Sequence, residues 1–154
     1  MLLDVAIILS LVIFLVVGLI MHFNKPARRF YSLITAAGVL AIVLRFVLPI
    51  IEAKDWYQNI VNVVGHADVL HITSYLVCLI LGTLVLALVI NPIYKLVDYE
   101  IGQIGKGTAV LTGGVVGLFN GAIAVMVLLQ VLGLFSINPH MSWLNSIQSF
   151  VSVK

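Results

Sequence analysis

The side chains able to do chemistry gather in one stretch. Arg45 stands inside an apolar run, and Glu52, Asp55, His66, Asp68 and His71 follow it. An arginine at such a position is a functional candidate that calls for an anion. Asp68 is the first nominee and Glu52 the second, since Glu52 lies two helical turns further along a similar face. A pocket of Arg45, Asp68, His71 and Glu52 would hold an imidazole that can sense or relay protons near neutral pH. The simpler reading is a snorkelling arginine that anchors its helix, its Cα about 9 Å below the end of the run. Both readings stay open at this level.

The rest of the chain offers no catalytic constellation. No pair of carboxylates falls within an apolar run, and no zinc spacing, phosphate loop or Ser/His/Asp arrangement occurs. The stretch 102–107, Gly-Gln-Ile-Gly-Lys-Gly, is glycine-rich only by composition and lacks a strand–turn–helix setting. Cys78 is the single cysteine and has no Cys or His cluster around it. The expectation is a protein that is not an enzyme and uses no cofactor or metal.

Composition says where these residues must sit. The chain has 154 residues, 62% hydrophobic and 9% charged, with a mean hydropathy of +1.22. A soluble domain carries roughly 25% charged residues. Disorder needs the opposite composition, and a net charge of +2 is too small for a nucleic-acid surface. An integral membrane protein remains, with the lipid bilayer as its first partner. A helix needs about 20 apolar residues to cross a core of roughly 30 Å. Four runs qualify, at 3–23, 30–51, 69–90 and 108–135. Strand alternation is absent, which argues against a barrel. The expected fold is all-α: four transmembrane helices with short amphipathic interfacial helices, one membrane domain over 1–154. Asp4 and a long first run argue against a cleavable signal peptide.

Three pieces between or after the runs read as amphipathic. Trp56, Ile60, Val63 and Val64 line one helical face. Asn91-Pro92 is expected to end the third span, with Ile93, Val97, Ile101 and Ile104 forming a separate helix beside Lys95, Asp98 and Glu100. In the tail, 138–154, Pro139 fits a first helical turn, and Trp143, Ile147, Phe150 and Val151 share a face. All three are expected along the interface or over the ends of the bundle. The tail is the better docking candidate, because its polar face is uncharged and rich in hydroxyls.

The fourth run carries Gly113, Gly117 and Gly121 at every fourth position, with Asn120 among them. Lipid supplies no hydrophobic drive between helices, so small residues that let backbones approach are the attraction. Two uses fit: packing within the chain, against Gly18 of the first run, or homo-oligomerisation. Asn120 would bond across to a neighbour or line a polar route.

The sequence resembles the colicin V production family, CvpA. Gly114-Val-Val-Gly117-Leu-Phe-Asn-Gly121 is similar to the family's glycine run, and Ser142-Trp-Leu-Asn-Ser-Ile147 to its short terminal segment. Asp4, Gly18 and the basic turn from Lys25 to Arg29 fit as well. Asn120 stands where the family often has a basic residue, and His22 where it often has a glycine. The resemblance implies a bacterial inner-membrane protein that supports toxin or bacteriocin production or secretion and envelope homeostasis, acting on membrane-protein partners. It implies no catalytic residues. The alternative is a small oligomeric transporter or channel subunit packed on the glycine stripe, for which only Asn120, Gln130 and Arg45 offer polarity at depth.

Orientation follows from Lys and Arg. Lys25, Arg28, Arg29, Lys95 and Lys106 lie on one side, Lys54 and Lys154 on the other. Both termini are then expected outside. In a Cys78→Ser background, an impermeant thiol reagent should reach Asp55→Cys from outside and leave Arg28→Cys unlabelled. The reverse pattern would overturn the orientation.

Overall fold

Inside a bilayer every backbone polar group must be satisfied by its own segment, so apolar runs of this length become helices. The computed structural model describes residues 2–21, 25–104 and 106–152. Six helices follow one another: α1 (Leu2–Met21), α2 (Lys25–Glu52), α3 (Asp55–Val64), α4 (Ala67–Ile104), α5 (Lys106–Leu134) and α6 (Ser142–Val151). α1, α2, α4 and α5 are long and apolar enough to cross a membrane. No strand occurs among the described residues. Residues 22, 23, 105, 153 and 154 of the expected spans, loop and tail lie outside the described residues, as do the side chains of Lys25, Asp98, Ile101, Ile104 and Lys106.

The long helices are arranged by neighbour rather than by chain order. α1 packs along α5, α5 along α2, and α2 along α4. Two cores result. Ile7, Val125, Leu129, Leu144 and Val151 join α1, α5 and α6. Ala41, Leu44, Leu48, Tyr75 and Leu79 join α2 and α4, with Val127 and Val131 of α5 against them.

The glycines make the α1–α5 contact possible. A Cβ on Gly18 would strike the carbonyl oxygen of Gly113, and one on Gly117 would strike the carbonyl oxygen of Phe14. On Gly121 it would stand 2.8 Å from Cβ of Phe14. The stripe is thus filled from within the chain by α1. The homo-oligomer reading of Gly113, Gly117 and Gly121 loses its surface, and so does a pore assembled on it.

Two further expectations need correction. Asn91-Pro92 does not end the third span, for α4 runs through Pro92 to Ile104. A proline removes one backbone bond, but packing can hold a membrane helix together across it. Here Tyr94, just beyond the proline, is hydrogen-bonded to α2 and α5. The segment from Ile93 is therefore the end of α4 and not a separate interfacial helix. In the tail, Pro139 precedes α6, and Met141 takes the N-cap position. Leu144, Gln148 and Val151 form the buried face, whereas Trp143, Ile147 and Phe150 are exposed. Val151 therefore does not share their face.

Ser136 shapes the turn that brings α6 back. Its φ is 57°, the left-handed region usually left to glycine. Ile137 N–H bonds the Leu132 carbonyl at 2.9 Å and Ser136 N–H the Gly133 carbonyl at 3.0 Å, satisfying the end of α5.

Overpacking a close contact costs about 1–3 kcal/mol. Gly117→Leu should therefore lower the Tm of the detergent-solubilised protein clearly. Gly107→Ala, where a Cβ meets open space, should leave it unchanged or raise it. Equal effects from the two would remove the seam as the organising contact.

Candidate functional site

The end of α2 meets α3 and the start of α4 in a shallow depression of about 230 Å³, lined by Glu52, Tyr57, Gln58, Val61, Asp68 and His71 among others. Gly65 closes α3 in a left-handed conformation with φ of 72°, and its N–H bonds the Val61 carbonyl at 2.8 Å. That stop lets α4 begin beside Glu52. His71 Nδ1 lies 2.5 Å from Glu52 Oε1. The Tyr57 hydroxyl donates to the same oxygen at 3.3 Å, and Gln58 Nε2 donates to the Glu52 carbonyl at 2.7 Å. Burial pushes the Tyr57 phenol up, and the neighbouring Glu52 carboxylate adds to that. Glu52 and His71 are thus brought together, and Asp68 lies exposed at the rim.

Arg45 is not part of this group, and its pairing with Asp68 or Glu52 is not what the structure has. Its guanidinium carbon lies 4.8 Å from the centre of the Phe150 ring and 5.8 Å from that of Phe46. The reason is its neighbours. Arg45 lies against α5 and α6, beside Met126, Gln130, Phe150 and Val151. Neither helix contains a carboxylate. A cation over an aromatic face is the attraction left to it there.

Asn120 sits in a second polar group, fully buried among three helices. Thr35 of α2 donates to Asn120 Oδ1 at 3.0 Å. Asn120 Nδ2 donates to the Tyr94 oxygen of α4 at 3.1 Å and to the Val116 carbonyl at 2.9 Å. The Tyr94 hydroxyl completes the ring by donating to Thr35 Oγ1 at 2.8 Å. A closed ring of this kind leaves its polar atoms satisfied and fixes the helices' rotation. Gln130 adds one more tie, donating to the Ala41 carbonyl at 3.0 Å. Asn120 is thereby spent on helix contacts rather than on a continuous polar path.

A third group fastens the tail. Asp4, 1% exposed, accepts from the backbone N–H groups of His140 and Met141 at 2.9 and 3.0 Å. Met141 caps α6 with no side-chain bond of its own, and Asp4, from another helix, holds the N–H groups at and just before that N-cap. Gln148 Nε2 donates to the carbonyls of Leu129 and Ile137 at 3.2 and 2.7 Å. Sequence reasoning missed Thr35, Tyr94, Asp4 and Gln148 as partners. A carboxylate at the head of an apolar helix was the one available signal among them.

Among the described residues, no group of three or more His, Cys, Asp and Glu side chains is placed to hold a metal ion. No family model matches the chain, no curated protein matches it in sequence, and no solved structure matches it in fold. The likeness to the colicin V production family therefore stands on the quoted residues alone.

Bonds to a charged acceptor are worth about 1.5–3 kcal/mol each. Asp4→Ala should release α6, seen as faster amide exchange over residues 142–151 with α2 and α4 unaffected. Asp4→Asn keeps an acceptor of roughly half that strength and should fall between. Unchanged exchange in Asp4→Ala would remove the clamp.

Proposed function

We propose that the chain is a non-enzymatic protein of the bacterial inner membrane that works by binding other membrane proteins. The resemblance to the colicin V production family gives the setting: support of toxin or bacteriocin production or secretion and of envelope homeostasis. The Lys and Arg distribution supports an orientation with both termini outside.

The observation that carries this reading is the fastening of α6. A tail that only covered the bundle would need its apolar contacts and little else. This one is also held by a buried carboxylate and a buried amide. Held so, it turns Ser142, Asn145, Ser146 and Ser149 outward as an uncharged polar face. Such a face is suited to hydrogen bonding with a partner without desolvating a charge.

The channel reading has less support. Its proposed interface is filled by α1, and the deep polar groups Asn120 and Gln130 are bonded to neighbouring helices.

A photo-crosslinking amino acid at position 145 or 149, in living cells, tests the proposal. Discrete protein adducts are expected, lost in Asp4→Ala and absent from a probe at Leu88 on the exposed side of α4. Adducts only to lipid, together with robust ion or solute flux in proteoliposomes, would reverse the order of the two readings.

A further inference from the structure

A slot opens between α2, α5 and α6. Its volume is about 160 Å³, and Ile42, Phe46, Met126, Phe150 and Val151 line it together with Arg45 and Gln130. Apart from Arg45 and Gln130 its lining is apolar. An apolar cavity of roughly 150 Å³ stays dry and takes up a molecule the size of benzene. This slot therefore accommodates a segment of hydrocarbon chain.

Arg45 makes the slot more than a packing gap. Its Cα lies seven residues before the end of α2, about 10 Å along the axis, within the apolar span. It has no carboxylate partner and no hydrogen bond to protein among the described residues, and it lies against the rings of Phe46 and Phe150. Neither ring supplies an anion, and the fork of N–H donors on a guanidinium matches a phosphate bidentately. A charge left in hydrocarbon without an anion is costly, so the site calls for an anion that none of the described residues supplies. The slot beside it fixes the kind of molecule: one with an anionic head and a hydrocarbon tail.

We propose that this slot binds one anionic phospholipid of the leaflet on the α6 side. The phosphodiester pairs with Arg45, part of one acyl chain lies against Ile42, Met126 and Val151, and Phe150 closes over the junction. A net negative lipid is required, because the lining has one cation and no carboxylate to balance it or to pair with a headgroup ammonium. The inference is independent of the partner-binding role proposed above.

Native mass spectrometry of the full chain in detergent, with phosphatidylglycerol added, tests it. The wild type should retain one lipid. Arg45→Gln should weaken retention at least about tenfold, from the loss of a charge-assisted pair, and Arg45→Lys should keep part of it. Ile42→Trp, which fills the slot and spares the charge, should also lose the lipid. Diacylglycerol with the same chains, and phosphatidylethanolamine, should be retained clearly less. Equal retention of either, or wild-type retention by Arg45→Gln or Ile42→Trp, would overturn the site. Phosphatidylglycerol with a photoreactive acyl chain needs no variant. Adducts on Ile42, Met126 or Phe150 support the slot, and adducts confined elsewhere overturn it.

Discussion

The contact on which the rest of this fold depends is backbone against backbone. Gly18 of α1 lies against Gly113 and Gly117 of α5 with no side chain between them. Because the two helices run antiparallel, that contact also sets how far α1 reaches along α5. Asp4 lies fourteen residues before Gly18, about 21 Å along the axis. There it meets the N–H groups that begin the tail. The tail's place in turn puts Phe150 over Arg45. A small-residue seam in one part of the membrane thus determines what surrounds a charge in another.

Polar side chains in the spans do one job repeatedly: they tie one helix to another. Asn120 and Thr35 tie α5 to α2, Tyr94 brings α4 to both, and Gln130 bonds the backbone of α2. In lipid each such bond contributes only modestly, about 0.6–2 kcal/mol. Its larger effect is on rotation, because an apolar helix surface packs nearly as well in several orientations and a polar ring closes in one. Arg45 differs from these groups in using only aromatic faces of its own chain.

Much of the architecture was legible in the sequence because it rests on composition and period. Four apolar runs, the short helix around Trp56 and the glycine repeat each state their structure locally. Gly18 could be paired with the stripe because both are glycines in apolar runs. The pairings made by long side chains were not legible. Arg45 and Glu52 stand two turns apart on α2, yet one faces α5 and α6 and the other faces α3 and α4. Only the packing order of the helices decides that. Pro92 misled for a related reason: a local rule about prolines gave way to the contacts Tyr94 makes across the fold. Asp4 carried a signal in its position but none about its partner, 136 residues away in the chain.

The uninterrupted α4 has a mechanical consequence. Its 38 residues make a rod of about 57 Å, against a hydrocarbon core of roughly 30 Å. Its apolar stretch ends at Val97, and the helix goes on to Ile104. What looks in the sequence like a third loop is therefore a mast standing beyond the apolar slab. Its stiffness is lowest at Pro92, where one rung of the ladder is missing. A sideways force on the tip would concentrate its bending there, two residues from Tyr94, whose hydroxyl joins three helices.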